Sequence, residues 1–378
     1  MSDIGSSESG AVVYAAIELS RSQWLIAVLP PDAARPSRHA VPAGDSAKLI
    51  KLFERVRHQS EQRLGQAVRV RCCYEAGYEG FWLHRVLIAA GIDSLIVDPS
   101  SLQTERRARR RKSDGIDVES ILYALIAWDR GERRRCSMLR VPDPAIEDER
   151  RLTRERGRLV AESTAHRNRI GGLLMTVGIY DFQPLARDRL HRLAALVTGD
   201  GRKLPVQLAI EIRREIERLD LVERQLALLE KARRPKRHAQ PTPAECRIAR
   251  LMALKGVGIE IASVLGNEVF WRDFANRREI ARYAGLDPSP HDSGDKRFEQ
   301  GISKAGNRRA RWVLIEAAWL WRRWQPDSAL ARWYHQRVGT ATGRLRRLFI
   351  AALARKLLVA LWHYLKTGNP PEGAVLSA

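Results

Sequence analysis

The sequence predicts an α/β domain followed by two mainly helical regions, and three observations lead to this prediction. Short apolar runs alternate with helical segments over residues 1–140, and amphipathic helical segments fill residues 141–240. Residues 241–378 are mainly helical and contain one loop rich in glycine and proline. A chain of 378 residues is long enough for two or three domains, each with its own hydrophobic core.

The predicted elements of the first region alternate between strands and helices. Apolar runs bounded by turn residues predict strands at residues 12–19, 24–29, 38–41, 68–74 and 93–97. Helical periodicity predicts helices at residues 47–64, 81–90 and 113–128. Three antiparallel strands followed by helix, strand, helix, strand and helix is the element order of the ribonuclease-H-like fold, although other mixed α/β domains can share it.

Four carboxylates lie where such a fold could gather them. Glu18 ends the first predicted strand, Glu75 ends the fourth, and Asp114 and Asp117 lie three residues apart near the start of a helix. Like charges so close repel, so the cluster requires a cation, and oxygen ligands suit Mg²⁺. The alternative is that the two aspartates are helix N-terminal acids stabilised by the helix dipole and Glu75 is a solvated loop residue.

The charge balance favours a nucleic-acid partner. Lys and Arg outnumber Asp and Glu by 66 to 44, which gives a net charge of +22. A surplus this large implies a polyanion, because phosphates neutralised by the protein release counterions and so drive binding. An anionic membrane surface is less favoured, since the sequence has no basic amphipathic anchor, lipidation motif or uncharged apolar run of membrane-spanning length. We therefore expect a soluble protein.

A basic run at residues 105–112, with the sequence E-R-R-A-R-R-R-K, leads directly into the acidic cluster. It could hold a nucleic-acid backbone near the metal site, and the alternative is an ordinary solvated run of charge. The predicted contacts are Arg106, Arg107, Arg109, Arg110, Arg111 and Lys112.

The four cysteines predict neither a zinc site nor a disulfide framework. Cys72, Cys73, Cys136 and Cys246 show no C-x-x-C spacing and no matching pair of histidines. A reducing cytoplasm fits this cysteine usage best.

The middle region is predicted to form a helical hairpin or coiled-coil arm. Helical segments at residues 146–175 and 205–231 flank a break at residues 181–184, and the second carries Ile212, Leu219 and Leu226 at seven-residue spacing. Such an arm can be a rigid spacer or a self-association element. A basic linker with prolines follows at residues 233–243.

The last region carries the loop, residues 283–307, around which the rest of the chain is organised. Its glycines and prolines predict turns rather than a regular element, with Ser293 in mid-loop, directly before Gly294. The basic side chains around it would suit a phosphate, so Ser293 could be a nucleophile on DNA or RNA. An ordinary basic surface turn is the alternative. The predicted phosphate contacts are Lys296, Arg297, Lys304 and Arg308, with Arg309 beside them.

Two further patterns lie in the same region. Residues 254–259 read L-K-G-V-G-I between helical segments, as in a helix-hairpin-helix turn whose backbone amides reach a phosphate, although the pattern is short. Tryptophans recur at near-helical spacing, and we expect most of them to pack in the core rather than stack on bases: Trp312, Trp319, Trp321, Trp333 and Trp362.

Together these residues resemble the IS110 family of insertion-sequence transposases, which are relatives of the Piv DNA invertases. The resemblance covers nearly the whole chain and rests on a combination of short motifs. They are the acid Glu18, Y-E-A-G at Glu75, K-S-D-G-I-D at Asp114 and Asp117, and the series G-V-G, Y-A-G-L-D-P, S-G and G-I-S-K-A-G-N.

The resemblance implies a RuvC-like metal-binding domain at residues 1–140, a helical arm and linker at 141–240, and a transposase domain at 241–378 with Ser293 as nucleophile. It further implies a non-coding bridge RNA that pairs with donor and target DNA. It also implies tetramers that pair one subunit's acids with another's serine, and a bacterial, nucleoid-associated location. Glu18 stands where the family usually has Asp. Its carboxylate reaches one methylene further, so a changed site geometry, a changed metal preference or an inactive copy are all compatible with it.

Three functional hypotheses follow. The first is a DNA recombinase that cuts and rejoins DNA through a phosphoserine, with Mg²⁺ held by the acids. The second is a metal-dependent RuvC-like nuclease or junction resolvase that uses water and for which Ser293 is incidental. The third is a nucleic-acid-binding protein without catalysis, whose carboxylates are only surface charge.

Overall fold

The chain divides into two compact units, Met1–Pro142 (unit 1) and Asp143–Ala378 (unit 2). The computed structural model describes residues 10–102, 114–233, 240–293 and 296–377. Of residues 100, 114–116, 289–293 and 296–300 it describes the backbone alone. A further division of unit 2 near residue 240 stays a prediction.

Unit 1 contains a five-stranded mixed sheet. Its strands are β1 (Ala11–Glu18), β2 (Gln23–Leu29), β3 (Ser37–Pro42), β4 (Val68–Glu75) and β5 (Asp93–Val97), in the order β3-β2-β1-β4-β5. β2 is antiparallel to both β1 and β3, while β4 is parallel to both β1 and β5. All five predicted strands are therefore confirmed, and β1 and β4 lie side by side at the centre of the sheet.

Helices cover both faces of this sheet. They are α1 (Ser46–Leu64), α2 (Trp82–Ala89) and α3 (Asp114–Asp129). Successive side chains of a strand point to opposite faces, so β1 sends Val13 and Ile17 into the core that contains α1 and α2, and Ala16 into the core that contains α3. This burial on both faces explains why β1 and β4 are nearly continuous apolar runs.

Unit 2 begins with a helical hairpin, here called the arm. Its helices are α4 (Pro144–Met175) and α6 (Val206–Arg233), with α5 (Arg189–Ala194) between them. Arg156 pairs with Glu230 at 2.5 Å, and Ser163 donates to Glu223 at 2.6 Å, so the two long helices run antiparallel. The predicted seven-residue spacing faces the partner helix, because Ile212 and Leu219 are fully buried in the apolar cluster that also contains residues of α4.

The rest of unit 2 is a helical core with one β-hairpin. Its helices are α7 (Pro243–Met252), α8 (Ile259–Glu268), α9 (Arg277–Tyr283), α10 (Arg308–Trp324), α11 (Ala329–Val338) and α12 (Gly343–Thr367). The hairpin, β6 (Pro288–Ser293) and β7 (Lys296–Ile302), lies between α9 and α10. α12 is long and apolar enough to cross a membrane, but Leu353, Leu357 and Leu361 are buried in this core, as expected for a core helix.

One buried carboxylate joins the arm to this helical core. Glu268, the last residue of α8, is only 3% exposed and accepts two hydrogen bonds from Arg154 of α4, at 2.8 and 3.1 Å. Asn307 donates to the same carboxylate at 3.2 Å, and the Tyr283 hydroxyl donates to the Glu268 carbonyl at 2.7 Å. Arg150, one turn before Arg154, donates to the backbone carbonyl of residue 267 at 2.9 Å.

The balance of burial and charge keeps Glu268 ionised. Burial raises the pKa of this carboxyl, but the hydrogen bonds and charge of Arg154, the charge of Arg150 and the hydrogen bond of Asn307 together outweigh it. The net pKa lies below the ordinary value of 4.5. A carboxyl with a depressed pKa in the folded state stabilises the fold fully above its ordinary pKa, and this contribution is lost as the pH falls through the folded value.

Two glycines interlock at the base of the β-hairpin. Gly285 has φ +65°, and a Cβ there would overlap the carbonyl oxygen of Ala305. Gly306 has φ +93°, and a Cβ there would lie 2.5 Å from the carbonyl oxygen of Tyr283. Each glycine therefore makes room for the backbone on the other side of the hairpin base.

We expect Glu268→Gln to lower the free energy of unfolding by about 2–4 kcal/mol at pH 7, because it leaves the guanidinium of Arg150 buried without its counter-charge. The difference from the unsubstituted chain should be constant above about pH 6 and should shrink as the pH falls below 4.5. Urea unfolding followed by circular dichroism across this pH range measures it. Asp148→Asn removes the exposed pair with Arg151 and is the control, with an expected change below about 0.5 kcal/mol. Equal losses in both variants would contradict the proposed anchoring.

Gly306→Ala should destabilise unit 2 more than Gly301→Ala. Both glycines have nearly the same backbone angle, φ +93° and +92°, so both substitutions carry the left-handed penalty of about 1–2 kcal/mol. Only Gly306 faces the carbonyl oxygens of residues 282 and 283, whereas a Cβ at Gly301 meets nothing within 4 Å. We expect a further loss of about 1–3 kcal/mol for Gly306→Ala in urea unfolding. Equal effects would show that the close contact is relieved at no cost.

Candidate functional site

Two of the predicted acids lie side by side at one edge of the unit 1 sheet. Glu18 is the last residue of β1, and Glu75 is the last residue of β4. These strands are parallel neighbours in register at Ile17 and Tyr74, so the next residue of each strand is an acid. We call this edge, where β1 and β4 end, the carboxylate edge.

Both acids belong to the face of the sheet that α3 covers. Ala16 of β1 and Cys73 of β4 pack in the core cluster that contains α3. Because side chains two residues apart in a strand share a face, Glu18 and Glu75 fall on the same side. This alternation places them on the side of the helix that carries the other two predicted acids.

The direction of α3 brings its first turn toward the carboxylate edge. Near its end, Asp129 accepts a hydrogen bond from the Tyr14 hydroxyl at 2.6 Å and pairs with Arg71, and both partners lie well before the ends of their strands. Further back, the thiol of Cys73 donates to the Ile121 carbonyl at 3.8 Å. α3 therefore runs antiparallel to β1 and β4. The twelve residue steps from Asp117 to Asp129 rise about 18 Å along α3, enough to reach the strand ends.

In donor type these acids suit an oxygen-ligated metal ion, but the described side chains of Glu18, Glu75 and Asp117 do not form a group that could hold one. Glu18, Glu75 and Asp117 are half-buried carboxylates, and the helix dipole at the first turn of α3 favours negative charge there. Among the side chains that the structure describes, no group of three His, Cys, Asp or Glu lies close enough to hold a metal ion. The side chain of Asp114 is not among them, and residues 103–113, with the predicted contacts of the basic run, also lie outside the described residues.

Ser293 lies at the end of a β-strand rather than in mid-loop, which corrects the prediction for this segment. β6 pairs with β7 in an antiparallel hairpin, and Ser293 is opposite Lys296. Proline and glycine suggested an irregular segment, but a two-stranded ribbon tolerates Pro288 and Pro290 because it has outer edges and carries a register shift between them. Lys296 and Arg297 are backbone neighbours of Ser293 and Asp292 in this hairpin. We call it the serine hairpin.

Hydrogen bonds fix the base of the serine hairpin. Ser303 donates its amide to the Asp287 carbonyl at 2.9 Å and its hydroxyl to the Asp287 carboxylate at 2.5 Å. Asn307 donates its backbone amide to the Tyr283 carbonyl at 2.8 Å. Its side-chain oxygen caps α10 by accepting hydrogen bonds from the amides of Arg309 and Ala310, both at 3.0 Å. The motifs Y-A-G-L-D-P and S-K-A-G-N are therefore the two sides of one rigid support.

The predicted phosphate contacts near this base differ in what they contact. Lys304 and Arg308 are exposed, and neither forms an ion pair with an acid in the part of the chain that the structure describes. Arg309 points inward, donates to the backbone carbonyl of Thr153 on the arm, and lies against Gly157. Arg309, which the sequence places beside the predicted contacts, therefore uses its guanidinium to hold the arm.

The L-K-G-V-G-I turn joins two helices as predicted, and the first part of the turn is used in contacts within the protein. A Cβ at Gly256 would lie 2.8 Å from Cβ of Trp324, so packing explains this glycine. The backbone of the turn also contacts the C-terminal segment, because the Lys255 amide donates to the Val375 carbonyl at 3.0 Å. Gln325 donates its side chain to the Lys255 carbonyl at 2.8 Å.

One residue near the hairpin base has a different environment from the one predicted. Trp321 is buried, and Trp319, Trp333 and Trp362 pack on or in the core as expected, but Trp312 is 56% exposed. Its spacing could not reveal this, because both faces of α10 carry large apolar residues.

No disulfide bond joins the four cysteines, Cys72, Cys73, Cys136 and Cys246. The structure describes all four, and each is a free thiol, three of them buried. Burial raises the pKa of Cys72 to about 12, so this thiol stays protonated and unreactive at neutral pH.

Two family models match separate parts of the chain. A DEDD transposase model of the IS110 type matches residues 20–179, which include Glu75, Asp114 and Asp117 and begin just after Glu18. The model described as the transposase IS116/IS110/IS902 family matches residues 248–334, which include the serine hairpin.

Curated proteins also match, over most of the chain. A proposed transposase of Sinorhizobium fredii, y4rJ, is 48% identical over 373 residues, which cover 96% of this chain and 94% of that protein. The transposase for insertion sequence element IS1111A of Coxiella burnetii is 27% identical over 281 residues, 71% of this chain and 69% of that protein. The transposase for element IS1328 of Yersinia enterocolitica is 27% identical over 261 residues, 67% of this chain and 72% of that protein. Similarity of this extent, together with both family models, shows that the chain belongs to the IS110 family of insertion-sequence transposases.

Proposed function

We propose that this transposase is a site-specific recombinase that cuts and rejoins DNA through a covalent bond to Ser293. The observation that carries the proposal is the position of Ser293, the last residue of β6, on a hairpin whose base is fixed by hydrogen bonds of Asp287, Ser303 and Asn307. A nucleophile must be held in place, and a hairpin with a braced base supplies this.

The proposed step is a transesterification. The Ser293 oxygen forms a bond to phosphorus while the bond from phosphorus to one deoxyribose oxygen breaks, and the serine proton leaves as that oxygen gains one. The phosphodiester count is unchanged, because the phosphoserine replaces the broken linkage. Attack by a deoxyribose hydroxyl of another strand then reverses the step and rejoins DNA without an outside energy source.

The carboxylate edge would hold Mg²⁺ through Glu18, Glu75, Asp114 and Asp117. A bound Mg²⁺ would offset the negative charge that develops on the phosphate. The positions of these acids follow from the fold. β1 and β4 end side by side, and α3 covers the face of the sheet to which Glu18 and Glu75 belong. Glu18 takes part in this proposal because β1 ends in register with β4, so that each strand end carries one carboxylate.

The proposed partners are DNA and RNA. The net charge of +22 supports contacts to phosphate backbones, and Lys304 and Arg308 are exposed cations at the serine hairpin base. The family resemblance supports a bridge RNA that reads sequence by base pairing, and a dimer or tetramer in which acids and serine come from different subunits. Action on bacterial DNA supports a cytoplasmic, nucleoid-associated location.

The alternative is a metal-dependent RuvC-like nuclease or junction resolvase that uses water. The observation that favours it is that all four acids lie on elements of unit 1 and their placement requires no residue of unit 2. Water would then take the place of Ser293, and free DNA ends would be the product.

We expect Ser293→Ala to abolish the covalent DNA adduct and reduce strand exchange by at least about a thousandfold, because the nucleophile is removed. The protein is mixed with Mg²⁺, labelled element-end DNA and RNA transcribed from the non-coding flank of the element, and a denaturing gel detects labelled DNA attached to protein. Ser289→Ala, on the same strand, should keep the adduct. Free cleaved DNA without an adduct, unchanged in Ser293→Ala, would favour the nuclease instead.

We expect Asp117→Asn to reduce both adduct formation and strand exchange by about a hundredfold or more, because an amide lacks the charge that a cation requires. DNA affinity measured in EDTA should stay within about twofold of the unsubstituted chain, since no phosphate contact is lost. Glu119→Gln is the matched control on the same helix, because Glu119 pairs with Arg38 at 2.8 Å. Full activity of Asp117→Asn would contradict the metal role of this acid.

A further inference from the structure

Trp312 differs from the other nine tryptophans in having no partner for its ring among the residues that the structure describes. Among the residues that the structure describes, which include all ten tryptophans, nine have a ring, cation or hydrogen-bond partner. The pairs are Trp24 with Trp82, Trp128 with Arg133, Trp271 with Arg150, Trp319 with Arg322, Trp321 with Ser328, Trp324 with Arg323, Trp333 with Lys356 and Trp362 with Lys366. Trp312 has none of these contacts and is also the most exposed tryptophan, at 56%.

Two exposed cations, Arg308 and Lys304, precede Trp312 in the chain. Arg308 is four residues earlier on α10, so both side chains lie on the same exposed face of the helix, about 6 Å apart along its axis. Lys304 precedes the helix and is also exposed. Within the described residues neither cation is paired with an acid. On the other side of Trp312, Glu316 is exposed, so a polyanion would leave the indole toward Arg308 and Lys304 rather than toward Glu316.

Lys304 has a further unusual property. Its φ is +58°, and it is the only residue other than glycine with a positive φ among those described. Lysine adopts this region at a cost, whereas glycine or asparagine adopts it readily. A lysine kept in this conformation beside an unpaired arginine and an unpaired indole points to a charge that the site uses.

The group is attached to the support of the serine hairpin. Arg311, next to Trp312, lies against Gly285, where its guanidinium would overlap an added Cβ, and donates to the Ala284 carbonyl at 3.4 Å. The amides at the start of α10 are capped by Asn307. The amides of Arg309 and Ala310 are therefore not free for a phosphate, so the side chains would make the contacts.

We propose that Trp312 is a stacking platform for an unpaired base, with the phosphates of the same strand on Arg308 and Lys304. Exposed indoles stack on bases of any sequence, and flanking cations follow the strand. A lone exposed apolar residue is ordinary on protein surfaces, but the two unpaired cations beside it and the basic chain match a polyanion rather than an apolar partner. The inference rests on the proposed function, since cutting and rejoining DNA requires strands with unpaired bases.

The test measures binding without chemistry. Fluorescein-labelled 20-nucleotide strands of mixed sequence, one DNA and one RNA, and the matching DNA duplex are titrated with the full chain in EDTA, with fluorescence anisotropy as the readout. Trp312→Ala should weaken binding to at least one single strand about tenfold or more, and Trp312→Phe should recover most of that loss. The strand that is affected identifies DNA or RNA as the source of the base. Leu320→Ala, an exposed apolar residue of the same helix, is the control and should bind like the unsubstituted chain.

Salt dependence separates stacking from charge. Arg308→Gln should reduce the slope of log affinity against log salt by about 0.7, because one phosphate contact is lost. Trp312→Ala should weaken binding and leave this slope unchanged. A strand with 2-aminopurine should lose fluorescence on binding the unsubstituted chain and keep more of it on binding Trp312→Ala.

Several outcomes would overturn the proposal. Trp312→Ala that binds all three probes within twofold of the unsubstituted chain would do so, as would a loss that Trp312→Phe does not recover. An altered sedimentation coefficient of Trp312→Ala without nucleic acid would assign the residue to contacts between protein chains instead. Because no cleavage is needed, the result is independent of Ser293→Ala, which should bind all probes normally. If no covalent DNA adduct forms, the proposed function fails, but the binding result for Trp312 still stands.

Discussion

The ion pair between Glu268 and Arg154 is the interaction on which the organisation of unit 2 depends. Glu268 is the last residue of α8, its carboxylate also contacts Asn307, and its carbonyl receives the hydroxyl of Tyr283. One buried acid thus contacts the arm, the start of α10 and the end of α9. A buried charge costs free energy unless it is fully partnered, so the carboxylate of Glu268 is stable in this position only when its partners are all in place. The arm and the support of the serine hairpin therefore form as one structure.

Much of the fold could be predicted because the local pattern and the tertiary role agree. The runs of β1 and β4 are apolar on both faces, and the structure buries both faces. The heptad spacing of Ile212 and Leu219 likewise reports the contact with α4. The serine hairpin could not be predicted in this way. A two-stranded ribbon has few buried positions, so it leaves no strong alternation, and its prolines and glycines resemble those of an irregular loop.

The strand-end acids could be located from the sequence, but their orientation could not. Strand ends were visible in the sequence, and so Glu18 and Glu75 could be named, whereas their common face follows only from the alternation through Ala16 and Cys73 against α3. A second limit on prediction concerns the basic residues R-R-A-R at the start of α10. Charge alone cannot tell Arg308, which is exposed, from Arg309, which reaches Thr153 on the arm. The same limit applies to Trp312, since its exposure depends on which side of α10 the core occupies.

The prolines of β6 have a consequence for how the serine hairpin can associate. Each strand of a two-stranded ribbon has one edge without a neighbour, and such edges can pair with strands of other molecules. Pro288 and Pro290 remove two of the six amide donors from β6, whereas β7 contains no proline. β6 is thus a poor template for adding a third strand. The smaller number of donors disfavours edge-to-edge pairing along the strand that carries Ser293, and an extension of the sheet is favoured along β7.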